Sequence, residues 1–444
     1  MSSALEKGQN DGSDLNLSSD EHSPERRALE KRLLRKIDLR MSILVVIYIL
    51  NYIDRNNAAA ARNRGLVTDL KLKGQEYPTL LSILYVGCRP SLYLPGAMIV
   101  WGVISALTVF LGFVEAAFFP GALFLLSKWY KRDEIGLRTA ILYCGNIISN
   151  AFGSLMASGI LANMQGKLGH AAWRWLFYIG STHSLHCRLR HLYSSRFPGH
   201  IEMAVARRKG AGLLRMTEDA GVGDQNETEQ GGPFHGLFLA LTDWRVWWLA
   251  FALTAQVVAL SFNAFFPTLT ATLGFSPTVT LLLCAPPFAI AALAAFLLAR
   301  SVGERCFHMI SSFGLGVLGF VIAISTMNTA ARYISLFLMA QSYAGFVVMY
   351  TWMSNSFPRP PSKRAVALAL MNAFSQLGNI AGSYVWPSTW GPTYRHSYAI
   401  CIACSGTTIV MCLLFRWSLI IANRQLDKEE EEQGVKTKGY RYIL

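Results

Sequence analysis

The chain has 444 residues, of which 52% are hydrophobic and only 15% charged, and its formal net charge is +14. Soluble globular domains carry about 25% charged residues, so a water-soluble enzyme or regulator is disfavoured from the start. The positive charge lies in short clusters between long apolar runs, which argues for orientation in a lipid bilayer and against nucleic-acid binding.

Charge concentrates in residues 1–40, 128–138, 188–229, 359–364 and 416–444. The Ser/Asp/Asn-rich opening predicts a disordered cytoplasmic tail over 1–40. No secretory signal precedes the first apolar run, so that run is expected to act as its own anchor. A membrane-crossing helix needs about 20 apolar residues. Residues 41–61 supply one and 138–162 another. Between them, 78–130 must hold three, which need about 60 residues before any loop. The piece 78–88 is cut short by Arg89-Pro90, and from Leu92 to Ser127 Glu115 is the sole charge. The apolar run after Trp173 ends at Arg188. The amino-terminal bundle, 41–187, is therefore expected to be incomplete.

Residues 188–244 read as a cytoplasmic linker, basic from Arg188 to Arg215 and acidic from Glu218 to Glu229. The second half is regular, with spans at 246–270, 278–299, 307–327, 332–353, 365–387 and 397–421, a bundle of 245–421 and a tail of 422–444. Its basic connections fall on one side, which places both termini in the cytoplasm. The sequons at Asn16 and Asn226 then carry no glycan. The expected fold is an all-α membrane protein of two bundles, nominally twelve transmembrane helices, with the amino-terminal bundle truncated.

Three ionised residues stand inside apolar runs: Asp54, Arg55 and Glu115. Each costs about 2.5 to 3.5 kcal/mol at the bilayer centre on insertion scales, so such groups face a cavity and mark an ion or solute path. Glu115, in Phe-Val-Glu-Ala-Ala-Phe-Phe-Pro, has no basic neighbour within a turn. Burial there favours its protonated form. For Asp54-Arg55 the alternative is an ion pair at the helix end.

Amides recur with helical spacing. Tyr48, Asn51, Tyr52 and Arg55 share one face. Asn146, Asn150, Ser154 and Ser158 repeat every four residues, as Asn372, Gln376, Asn379 and Ser383 nearly do. Gln256 and Asn263 are seven apart, and a later span carries Gln341, Tyr343 and Tyr350. Such stripes serve either interhelical hydrogen bonds, worth about 0.6 kcal/mol each, or contact with a small polar anion. Cys144, Cys284, Cys401, Cys404 and Cys412 lie in apolar spans and read as small buried hydrophobes. No Gly-x-Ser-x-Gly, His-Glu-x-x-His or phosphate loop supports an enzyme, and no cofactor or metal is expected.

The run Leu50-Asn-Tyr-Ile-Asp-Arg-Asn-Asn57 resembles the first-helix signature of the fungal anion:cation symporters of the major facilitator superfamily, the allantoate permease group. Further matches are Leu111-Gly-Phe-Val-Glu-Ala-Ala-Phe-Phe-Pro-Gly121, Leu126-Ser-Lys-Trp-Tyr130, Trp173-Arg-Trp-Leu-Phe177 and Asn355-Ser-Phe-Pro-Arg-Pro-Pro361. The resemblance covers about residues 27–186 and 218–444 and looks most like the nicotinate-carrier branch. It implies proton-coupled uptake of a vitamin-like carboxylate, such as nicotinate or pantothenate, by a plasma-membrane monomer. Asp54 and Glu115 match the proton-linked acids, and Arg55 matches a residue of the anion pocket. With Asn51, Asn146, Asn150, Asn263, Asn372 and Gln376 it forms the expected substrate-facing set.

The departures bear on competence. The family places an Arg two turns before the fourth-helix Glu; here that position is Thr108. The sequence is also shortened near 88–90, 108–111 and 300–303. Segment 181–215, with His183, His186, Cys187 and His191, fits no family pattern, and a reading-frame slip accounts for it better than a metal site. The rival expectation is therefore a membrane protein that does not transport: a sensor, or the inactive product of a defective gene model.

Overall fold

The computed structural model describes residues 24–72, 76–79, 130, 132–179, 235–300, 305–357, 361–432 and 441–442, and all regular structure among them is helical. Helix α1 runs Pro24–Ala61. It starts inside the stretch expected to be a disordered tail, because Glu, Arg, Lys and Leu there are strong helix formers despite their charge. Beyond Ala61 the hydrogen bonding widens to i→i+5 over Arg62–Leu66, and Gly65 takes φ +98° before the helix ends. Helix α2 is Arg132–Asn163 and α3 spans 172–179.

Within the expected linker, α4 forms over His235–Thr242. Helix α5, Trp244–Ala259, follows at once, its start capped by Asp243, whose carboxylate accepts from Arg245 N at 2.9 Å. Lys363 binds the other Asp243 oxygen at 2.7 Å. Helix α5 tightens into 3-10 turns over Leu260–Phe265 before α6, Phe266–Ala271, where Pro267 sits in the first turn and needs no amide partner. Helices α7 (Pro277–Arg300), α8 (Arg305–Ser325), α9 (Thr329–Ser356), α10 (Pro361–Ser383) and α11 (Arg395–Glu432) complete the second half. The last helix continues well past residue 421, into the expected tail.

Helix α1 packs on α2, α5 on α10 and α11, and α8 on α9 and α11. The halves meet where α2 lies along α7 and touches α9. Glycines set the closest approach: a Cβ on Gly378 would stand 2.6 Å from Thr254 O, and one on Gly382 would stand 2.6 Å from Ser261 Cβ. Outward faces stay apolar, with Phe152, Phe251, Leu293, Leu318 and Val410 exposed, as a hydrocarbon solvent requires.

Five helices among the described residues are long and apolar enough to cross a membrane: Trp244–Ala271, Pro277–Leu298, Arg305–Ser325, Thr329–Ser356 and Arg395–Glu432. Helices α2 and α10 are less apolar because each carries an amide stripe, and those stripes face the protein interior.

Candidate functional site

Between the halves lies a cavity of about 120 Å³ walled by α1, α2, the α5–α6 junction, α9 and α10. Helix α1 contributes Tyr52, Asn56 and Ala59; α2 contributes Tyr143 and Asn146. Asn263 enters from the 3-10 break, Tyr343, Phe346 and Tyr350 from α9, and Asn372, Ser375, Gln376, Asn379 and Ser383 from α10. Every described wall residue is uncharged.

The amides hold one another. Asn56 Nδ2 donates to Asn150 Oδ1 at 2.5 Å, and Asn263 Nδ2 donates to the same oxygen at 3.3 Å. One side chain of α2 thus joins α1 to the second half. Tyr350 donates its phenol to Asn372 Oδ1 at 3.1 Å, Gln376 Nε2 to Asn372 O at 3.3 Å, and Asn379 Nδ2 to Gln376 Oε1 at 2.9 Å. Two loose ends remain. Asn146 Oδ1 and Asn150 Nδ2 are buried and make no hydrogen bond among the described residues. Buried polar atoms are rarely left so, and a solute or water with donors and acceptors would complete them.

Aromatic rings line the same cavity. Tyr143 stacks on Tyr350 with centroids 4.6 Å apart and meets Phe346 edge-on at 5.8 Å. The lining therefore sets aromatic rings beside amide edges, a pattern that suits a small polar organic molecule.

Of the residues the sequence singled out, Asn146, Asn263, Asn372 and Gln376 come together at this cavity, and Asn150 ties its edge. Tyr343 and Tyr350 also line it. Gln256 is fully buried outside it, and Ser158 bridges the halves instead, donating to Thr278 O at 3.1 Å. Asn51, Asp54 and Arg55 lie on the α1 backbone, but their side chains fall outside the described residues. So do Glu115, Thr108 and the His183–His191 cluster. Asn56, Tyr143, Phe346 and Ser375 were missed. Asn56 follows Tyr52 by four residues and Tyr143 precedes Asn146 by three, so helical spacing alone carried the signal.

The distal rim, formed by the carboxy-terminal ends of α1, α2, α6 and α10, is bridged between halves. Thr79 and Tyr384 share a hydrogen bond of 3.2 Å between their hydroxyls, and Tyr77 meets Phe265 edge-on at 6.4 Å.

The sequence profile of the Major Facilitator Superfamily matches residues 78–383. The chain belongs to that superfamily. It is similar to the MFS-type transporter cnsO of Penicillium expansum, 26% identical over 94% of this chain and 91% of the relative. It is equally similar to the major facilitator-type transporter hxnP of Emericella nidulans, 26% identical over 94% of this chain and 93% of the relative. The alignment with cnsO runs over 480 positions against the 444 of this chain, so the relative carries stretches that this chain lacks. Among solved structures, the proton:xylose symporter XylE bound to 6-bromo-6-deoxy-D-glucose superposes with a TM-score of 0.61 at 15% identity, covering 86% of this chain and 96% of that one. That likeness shows the two-bundle fold. The protein is a multi-pass membrane transporter of the MFS type, not an enzyme.

Proposed function

We propose that this carrier is a member of the allantoate permease group and moves a small organic anion, a vitamin-like carboxylate such as nicotinate or pantothenate, together with a proton. The observation that carries this reading is the uncharged amide and phenol cavity between the halves, reached by the helix that bears Asp54 and Arg55. Amide donors from Asn146, Asn150, Asn263, Asn372 and Gln376 would hold the solute, with Asn51 and Arg55 completing the set. Asp54 and Glu115 would take up the proton. Neutralising one acid as the anion enters keeps the net charge of the loaded carrier constant, and alternating access then releases both on the other side. In this reading both termini lie in the cytoplasm and the carrier works as a monomer in the plasma membrane.

The test is uptake of labelled nicotinate and pantothenate into cells expressing the chain. Uptake should rise with an inward pH step and be lost in Asp54→Asn and Glu115→Gln. Uptake that ignores the pH step and survives both substitutions would sink the reading. A second reading, a non-transporting sensor or defective product, is favoured by the stretches missing relative to cnsO. Coding sequence that runs uninterrupted through codons 88, 108, 187 and 301 would support it.

A further inference from the structure

Arg62 lies one turn beyond Ala59, on the α1 face that carries Tyr52 and Asn56 into the cavity. Its guanidinium carbon sits 4.5 Å from the Tyr77 ring centre and 5.2 Å from that of Phe265. Phe265 is itself a wall residue and stacks on Trp386 at 6.0 Å. Arg62 thus sits at the distal mouth of the cavity, against rings from both halves. Its Nη1 is buried and makes no hydrogen bond among the described residues.

Ring faces attract the flat face of a guanidinium but leave its in-plane N–H edges unsatisfied. A buried donor on a permanent cation is costly unless something accepts from it. The acceptor that matches a planar fork is a carboxylate, taken edge-on through two parallel bonds. The local backbone fits such a role: the helix widens to i→i+5 bonding at Arg62 itself, a feature frequent at functional positions. The cation that the family resemblance places on the fourth helix is replaced by Thr108, so this chain keeps Arg55 but lacks that second positive group for an entering anion.

We propose that Arg62 is an anion subsite at the distal mouth, binding the carboxylate of the transported solute while Tyr77 and Phe265 hold the guanidinium flat. This rests on the organic-anion reading, and the experiment separates the two. The full chain is purified in detergent, and binding of nicotinate, its neutral isostere nicotinamide and thiocyanate is measured by calorimetry for the native chain, Arg62→Gln and Arg62→Lys. Nicotinate and thiocyanate should bind the native chain, and Arg62→Gln should weaken both by about ten- to a hundredfold, leaving nicotinamide unaffected. Arg62→Lys, which keeps the charge and loses the fork, should retain thiocyanate and lose preference for nicotinate over it. If nicotinate fails to bind but thiocyanate binding depends on Arg62, the subsite stands and the organic-anion reading falls. Nicotinate bound equally by the native chain and Arg62→Gln overturns the subsite and leaves the reading. Absence of both anions from the native chain overturns both. Should Arg62→Gln not fold, an unchanged anion preference in Arg62→Lys overturns the subsite.

Discussion

Asn150→Ala tests whether the amide knot at the cavity edge holds the halves together. Asn150 Oδ1 accepts from Asn56 on α1 and Asn263 on the α5–α6 junction, so the substitution removes two bonds with one change. Interhelical hydrogen bonds in membranes average about 0.6 kcal/mol and reach about 1.7. Only the Asn263 bond crosses between the halves, so the range that bears on their separation is about 0.6 to 1.7 kcal/mol. Asn263 borders the cavity and can turn to water, so the lower part of that range applies, about 0.6 to 1 kcal/mol. That shifts the balance between closed and separated halves by about 3- to 5-fold. Spin labels at Leu168 and Phe275, both exposed and on opposite halves near the distal rim, report the separation. They should be introduced as unnatural amino acids, because the chain has 8 native cysteines. Asn150→Ala should enrich the long-distance population. Combined with Asn263→Ala it should show less than additive effects, since the second change finds its bond already gone. An unchanged distance distribution, or strict additivity, would refute the knot.

Gly378→Ala places a Cβ 2.6 Å from Thr254 O, so α10 must move off α5 at a cost of about 1 to 3 kcal/mol; thermal unfolding should drop, while Gly406→Ala, with open space around it, should not change it. Asp243→Asn keeps the capping oxygen of α5 and loses the charge partner of Lys363. Asp243→Ala loses both and should be the less stable of the two by about 1 kcal/mol, measured by the same melt; equal stability would show the cap to be idle. Tyr143→Leu removes the ring stacked on Tyr350 and should weaken binding of nicotinate more than that of pantothenate, read as separate dissociation constants, because only nicotinate presents a ring to that wall.

Much of this cavity was legible because amides on a membrane helix have few places to go. The fourfold spacing of Asn146 and Asn150, and of Asn372 and Gln376, put each pair on one face, and each face turned to the interior. On α1 the sequence singled out the face of Tyr48, Asn51, Tyr52 and Arg55. Of these, Tyr52 lines the cavity, beside Asn56 and Ala59, Tyr48 is buried against Tyr143, and the side chains of Asn51 and Arg55 lie outside the described residues. The break at Leu260–Phe265 was harder to see, since its sole sequence mark is Pro267 just beyond it. That break is what swings Asn263 into the wall, because 3-10 turns advance side chains by a different angle from α turns. The disordered tail was read over 1–40 from its Ser/Asp/Asn-rich opening, whereas beyond Pro24 the Glu, Arg and Lys set among leucines support a helix.

The division of labour between charge and amide has a physical reason. A cavity wall of mutually bonded amides presents its polarity without a net charge, so it needs no counterion when empty. Its cost falls on the two atoms left over, Asn146 Oδ1 and Asn150 Nδ2, and these sit side by side one turn apart on α2. At the mouth, where the proposal puts Arg62, a cation attracts the anion on entry and passes it to the amides and Arg55 within. The proposed carrier therefore depends less on the depth of its charges than on their order along α1: Asp54 and Arg55 first, the uncharged Asn56 and Ala59 next, and Arg62 at the rim.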